Sequence, residues 1–174
     1  MQKEWNIRDD YFHTPEPEMA KHDLENLRKN SESVSDYLSS VADKAPAFEK
    51  RKAEYEFDEG IIAKLREVAS GAVVVAFSAE WCKDCHRNIP VLDLISEKTG
   101  LEVRVFGHLM RDTKSPDERW SIPPSPPEVK EFDVVKIPLI FVLNGDGEEL
   151  GKIVENPPEG EALEESLLKI LRKA

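Results

Sequence analysis

Val73-Val74-Val75-Ala76-Phe77, followed at once by Ser78-Ala79-Glu80-Trp81-Cys82-Lys83-Asp84-Cys85, is the stretch that decides how this chain folds. The apolar run is short and rich in β-branched residues, so it reads as a buried strand rather than a helix. After Cys82 the apolar residues recur at helical spacing, which puts Cys82 at a helix N-terminus. Unpaired backbone N–H groups and the positive end of the helix dipole favour an anion there, and for cysteine that anion is the thiolate, the attacking species in disulfide exchange. Cys85 lies within one helical turn and can approach Cys82 to resolve a mixed disulfide into an intramolecular one. The chain's two cysteines thus read as a redox dithiol, with Cys82 as nucleophile and Cys85 as resolving thiol. Lys83 should help ionise Cys82 and Asp84 should oppose it, which points to a reductant rather than a strong oxidant.

Other chemistries compete for the same residues. Cys82-Lys83-Asp84-Cys85-His86 satisfies the attachment pattern for a c-type haem. Such a protein needs a secretory route, however, and Met1-Gln2-Lys3-Glu4-Trp5 has no apolar region or small-residue cleavage site. A structural zinc wants four ligands, whereas the chain offers no second cysteine pair and only scattered His13, His22 and His108 beside His86. No metal or other cofactor is expected. Two inert buried thiols are the plainer alternative, and the polar flanks Lys83, Asp84, His86 and Arg87 argue against it.

Further along, Pro90 falls inside the dithiol helix, and Val135-Lys136-Ile137-Pro138-Leu139-Ile140-Phe141 sets a proline at the head of an apolar strand. With Ala79-Glu80-Trp81-Cys82 and Cys85, these prolines in register resemble the thioredoxin family over residues 58 to 174. The resemblance implies an α/β thioredoxin fold, a central mixed β-sheet flanked by helices. It also implies a cis Ile137–Pro138 bond beside the dithiol and a substrate groove formed by Trp81, Ile137 and Pro138. Thioredoxins tend to carry Ile before this proline, which weighs against a glutathione-binding relative. Two positions depart from the family pattern. Ala76 stands where a buried acid usually manages the proton of the second thiol, leaving Glu80, Asp84 or His86 as substitutes. Glu155 stands where a glycine often borders the groove, so a carboxylate is expected at its edge.

Length and composition suit one α/β domain with an appendage: 174 residues, 40% hydrophobic. A net charge of -11 leaves no basic stripe for nucleic acid or an anionic membrane. No apolar stretch approaches the ~20 residues needed to span a bilayer, and with both cysteines in the motif no structural disulfide is available, so a cytoplasmic location is expected. Residues 1–57 read as an N-terminal helical extension and 58–174 as the thioredoxin-like domain. In the extension Val34, Tyr37, Leu38 and Val41 recur at helical spacing, with Phe48 beyond Pro46, and Met19, Leu24 and Leu27 make a thinner stripe.

In the main domain, a helix from about Asp58 carries Ile61, Ile62, Leu65 and Val68 on its core face and ends at Gly71. The dithiol helix stops at Gly100, and Leu101–Phe106 alternates as a strand parallel to the first. Asn144-Gly145-Asp146-Gly147 makes a hairpin between the last two strands, and a closing helix buries Leu163, Leu167, Ile170 and Leu171. The proline-rich segment 107–127 leaves the same end of the sheet as Cys82, which makes Trp120, Arg111 and His108 candidate substrate contacts. The expected activity is thiol–disulfide exchange on disulfide-containing proteins, reset by an external electron donor such as a thioredoxin-reductase-like protein. A non-catalytic module, whose dithiol senses redox state and gates a partner, is the alternative.

Overall fold

The computed structural model describes residues 19–174. The absence of a leader read from Met1–Trp5, and His13, lie outside them. Along the chain run α1 (Leu24–Asn30), β1 (Glu32–Ser33), α2 (Val34–Val41), α3 (Pro46–Glu54) and α4 (Glu59–Val68). Then follow β2 (Val73–Phe77), α5 (Lys83–Thr99), β3 (Glu102–Phe106) and the single turn α6 (Glu128–Glu131). Last come β4 (Leu139–Leu143), β5 (Glu149–Val154) and α7 (Leu163–Leu171).

Five strands form one mixed sheet in the order β1-β3-β2-β4-β5. β2 and β3 are parallel because α5 carries the chain back between them, while β2–β4 and β4–β5 are antiparallel. β2 is central and buried throughout, which accounts for its unbroken apolar run in place of an alternation. Phe77 pairs with Phe106, and Val75 with Phe141, so these three aromatic rings share one face of the sheet. Phe132, just past α6, and the ring of His22 stack over that face, their centroids 4.0 Å apart. α5 and α7 pack on the sheet and on one another, and α4 packs on both.

Local capping follows the residue types. Asp58 accepts hydrogen bonds from the amides of Gly60 and Ile61 at the start of α4, and Gly100 closes α5 in the left-handed region at φ 76°. Gly147 in the β4–β5 hairpin also has positive φ, and a Cβ there would overlap the carbonyl of His22, whose amide donates to the Gly147 carbonyl at 2.8 Å. This contact seats residues 20–22 along the hairpin.

Sheet and core run across residue 57. β1 pairs with β3, and Tyr37 and Phe48 of the N-terminal helices are fully enclosed. Lys52 of α3 reaches α5, its ammonium 2.6 Å from the buried Asp93 carboxylate. In the thinner stripe Leu27 is buried, Leu24 partly so, and Met19 is exposed.

Candidate active site

β2 ends at Phe77, and five residues later Cys82 occupies the N-cap of α5, with extended backbone (φ −85°, ψ 118°). Its sulfur accepts a hydrogen bond from the Cys85 amide at 3.2 Å, where a serine or aspartate oxygen commonly sits in a helix cap. The Cys82 sulfur also lies 3.6 Å from the Ile137 carbonyl, to which the thiol form donates. The hydrogen bond from the Cys85 thiol, aided by the Cys85 amide, holds the Cys82 thiol below the usual cysteine range, against the opposing effects of burial and Asp84. Cys85 is the reverse: burial, with the Cys82 sulfur beside it, pushes its thiol well above that range. The two cysteines are unbridged and chemically unequal. Their polar neighbours do not make them exposed, since Cys82 is only 7% accessible and Cys85 fully enclosed.

The surroundings of Cys85 replace a carboxylate with hydroxyls. Ala76 is fully buried, as its place in β2 requires. The Ser78 hydroxyl beside Cys85 favours its thiolate, working against the burial. Ser78 in turn pairs with the Tyr37 hydroxyl at 3.0 Å, both residues being fully enclosed. Burial keeps that phenol well above its ordinary range, so it stays protonated and able to donate. Gly107 makes room for the tyrosine, because any Cβ there would overlap the Tyr37 ring. Sequence patterning marks Tyr37 as a core position but gives no sign of Ser78, which lies 41 positions away and meets it only in the folded chain.

The three polar residues expected near the dithiol differ in their partners. Asp84 Oδ1 accepts from Asn156 Nδ2 at 3.0 Å. The His86 ring meets the Glu80 carbonyl and packs edge-on against Phe48. Glu80 Oε2 is buried without a hydrogen-bond partner among the described residues, 3.9 Å from His108 Nδ1.

A groove of about 320 Å³ opens beside Cys82, with Trp81, Ile137, Lys136, Glu155, Arg111 and Trp120 in its walls. Ile137–Pro138 is cis, as the resemblance implies. Trp81 is 48% exposed, stacks on Trp120 at 6.2 Å, and donates its indole N–H to the Leu109 carbonyl at 3.0 Å. Trp120 is buried and donates to the Val135 carbonyl. The 107–127 segment therefore borders the dithiol through Trp120, Arg111 and Arg119. Arg119 is not distinguished by the sequence pattern. His108 departs from expectation: it faces Tyr37 and Glu32 and does not line the groove, because β3 ends at Phe106 and His108 turns at φ 63°. Glu155 does edge the groove. It follows the last residue of β5 at φ 63°, a conformation natural to glycine, and its amide donates to the Pro138 carbonyl at 2.8 Å.

The thioredoxin family profile matches residues 31–168. The chain belongs to the thioredoxin family. No curated protein matches it. A Pseudomonas aeruginosa protein of unknown function is similar in fold, with a TM-score of 0.63 at 17% identity over 89% of this chain and 97% of its own. An HIV epitope-scaffold is similar at TM-score 0.63 and 16% identity, over 87% of this chain and 97% of its own. Mitochondrial thioredoxin 3 of Saccharomyces cerevisiae, in its oxidized form, is 23% identical over 65% of this chain and 90% of its own, with a TM-score of 0.38. In this thioredoxin-family chain the match begins within the N-terminal helices, at residue 31, where β1 joins the sheet. No group of three or more His, Cys, Asp or Glu that could hold a metal ion, and no helix long and apolar enough to cross a membrane, occurs among the described residues.

Proposed function

We propose that the chain is a thiol–disulfide oxidoreductase that reduces disulfides in proteins. The observation that carries this reading is the inequality of the two thiols: Cys82 at a helix N-cap with a sulfur stabilised as an anion, and Cys85 enclosed behind it and held protonated. The Cys82 thiolate attacks one sulfur of a substrate disulfide and expels the other as a thiolate, leaving a mixed disulfide. Cys85 loses its proton and attacks the Cys82 sulfur; the Cys82–Cys85 disulfide forms and the second substrate thiol leaves. Two electrons have then passed to the substrate, and an external dithiol donor of the thioredoxin-reductase kind restores the pair. Trp81 and Ile137 line the groove in which an extended substrate lies; Pro138, expected there too, follows Ile137 through the cis bond and is not itself among the lining residues.

The cytoplasm suits this role, because both cysteines belong to the dithiol and none is left for a structural disulfide. The test is the reduction potential of the pair, obtained by equilibration in graded thiol/disulfide buffers with trapped thiols counted by mass. One two-electron transition near about −270 mV supports a cytoplasmic reductase, and a value near about −120 mV would mark an oxidant instead. Turnover of a model protein disulfide that is abolished by Cys82→Ser supports catalysis. Absent turnover with redox-dependent partner binding would mark a sensing module.

A further inference from the structure

The charge around the groove is opposite to that of the chain. The full sequence has 35 acidic and 24 basic residues, yet the groove beside Cys82 is walled by Lys83, Arg111, Arg119 and Lys136 against only Asp84 and Glu155. Both acids are already engaged, Glu155 with Lys136 at 3.6 Å and Asp84 with the Asn156 amide. Among the described residues no carboxylate forms an ion pair with Lys83, Arg111 or Arg119. The cations arrive from separate parts of the fold: Lys83 from the first turn of α5, Arg111 and Arg119 from the 107–127 segment, and Lys136 from the approach to β4. Arg119 is anchored at the rim by a hydrogen bond from Nη1 to the Val135 carbonyl at 3.3 Å. Between them lies the Trp81–Trp120 stack, with both indole N–H groups tied to backbone carbonyls.

We infer that the groove selects a polypeptide segment in which Asp or Glu residues flank the disulfide. This inference rests on the oxidoreductase reading and adds its substrate class. A local cationic site on an acidic protein attracts such a segment while the rest of the surface repels acidic chains at large, so charge acts at the site on encounter and register. The fixed indole face of Trp81 offers the apolar seat for a neighbouring side chain, and the carboxylates answer Arg111, Arg119 and Lys83. These ion pairs are partly exposed, so each is modest and screened by salt.

Three peptides with the same disulfide loop, flanked by Asp, Ser or Lys, test this in single-turnover reduction by the reduced protein, with product thiols trapped and counted by mass. At low salt the Asp peptide is expected to react about tenfold or more faster than the Lys peptide, with the Ser peptide between them. The ratio should shrink several-fold at about 0.5 M salt and in the Arg111→Gln/Arg119→Gln variant. It should hold in Arg172→Gln/Lys173→Gln, which removes the same net charge at the exposed end of the chain, outside the groove. Equal rates for all three peptides, or a loss of preference in both variants alike, would overturn the inference and leave the oxidoreductase reading intact. Glutathione disulfide outcompeting the Asp peptide would assign the cations to a small anionic disulfide and overturn the polypeptide assignment. Reduction of none of them would remove the oxidoreductase reading, and this inference with it.

Discussion

Replacing Tyr37 with phenylalanine removes one oxygen from the centre of the molecule and leaves everything else in place. The ring stays packed edge-on against Phe48 and His108 and opens no cavity. What disappears is the 3.0 Å hydrogen bond to Ser78, formed where neither residue has any exposure to water. A neutral hydrogen bond contributes about 0.5–1.5 kcal/mol, and a buried partner left short of one adds a desolvation penalty. The phenol's own burial cost is recovered at the same time, so the net loss should be about 1.5 kcal/mol. For a chain of this size that lowers Tm by roughly 3–6 °C. Tyr37→Ala also forfeits the ring and should cost about 4 kcal/mol. Urea unfolding followed by tryptophan fluorescence measures both, and a double-mutant cycle with Ser78→Ala should return a coupling of about 1 kcal/mol. A Tyr37→Phe variant as stable as the parent, with no coupling to Ser78, would refute the hydroxyl pair. A Tyr37→Ala loss below about 1 kcal/mol would refute the assignment of α2 to the core.

Alkylation of Cys82 should depend on pH in a direction set by its lowered pKa. The reactive thiolate forms at lower pH than in a free cysteine, so the midpoint of the rise in rate should lie below that of a free cysteine thiol measured alongside. Cys85→Ala should move that profile upward, since the hydrogen bond from the Cys85 thiol is the largest cause of the lowering, and Cys85 in a Cys82→Ser background should stay unlabelled at neutral pH until the protein is unfolded. Lys52→Met strands the Asp93 carboxylate, whose side chain is only 4% exposed, and should cost about 2 kcal/mol in urea unfolding. The double replacement Lys52→Met/Asp93→Leu should recover part of that loss. Gly147→Ala combines a φ of 83° with a clash against the His22 carbonyl. It should cost about 2 kcal/mol and speed hydrogen exchange at the His22 and Glu149 amides, which hold residues 20–22 to the hairpin.

Local rules carried much of this protein. The strand–dithiol–helix order, the stops at Gly71 and Gly100, the Asn144–Gly147 hairpin and the inward residues of α2, α4 and α7 follow from period, capping and turn chemistry, which act between residues a few positions apart. A cysteine at a helix N-cap is itself such a local feature, so the inequality of Cys82 and Cys85 was half legible before any fold was known. The other half is burial, and the number of neighbours that enclose Cys85 is not a property of its own segment. Tertiary structure alone decided that Ser78 and Tyr37 meet behind that thiol and that His108 turns away from the groove while Arg119 turns into it. It also decided that four cations from three parts of the chain gather on an otherwise acidic surface. These are juxtapositions between distant positions, and side-chain period and spacing hold no information about distance in space until the sheet order and the path of the 107–127 segment bring the positions together.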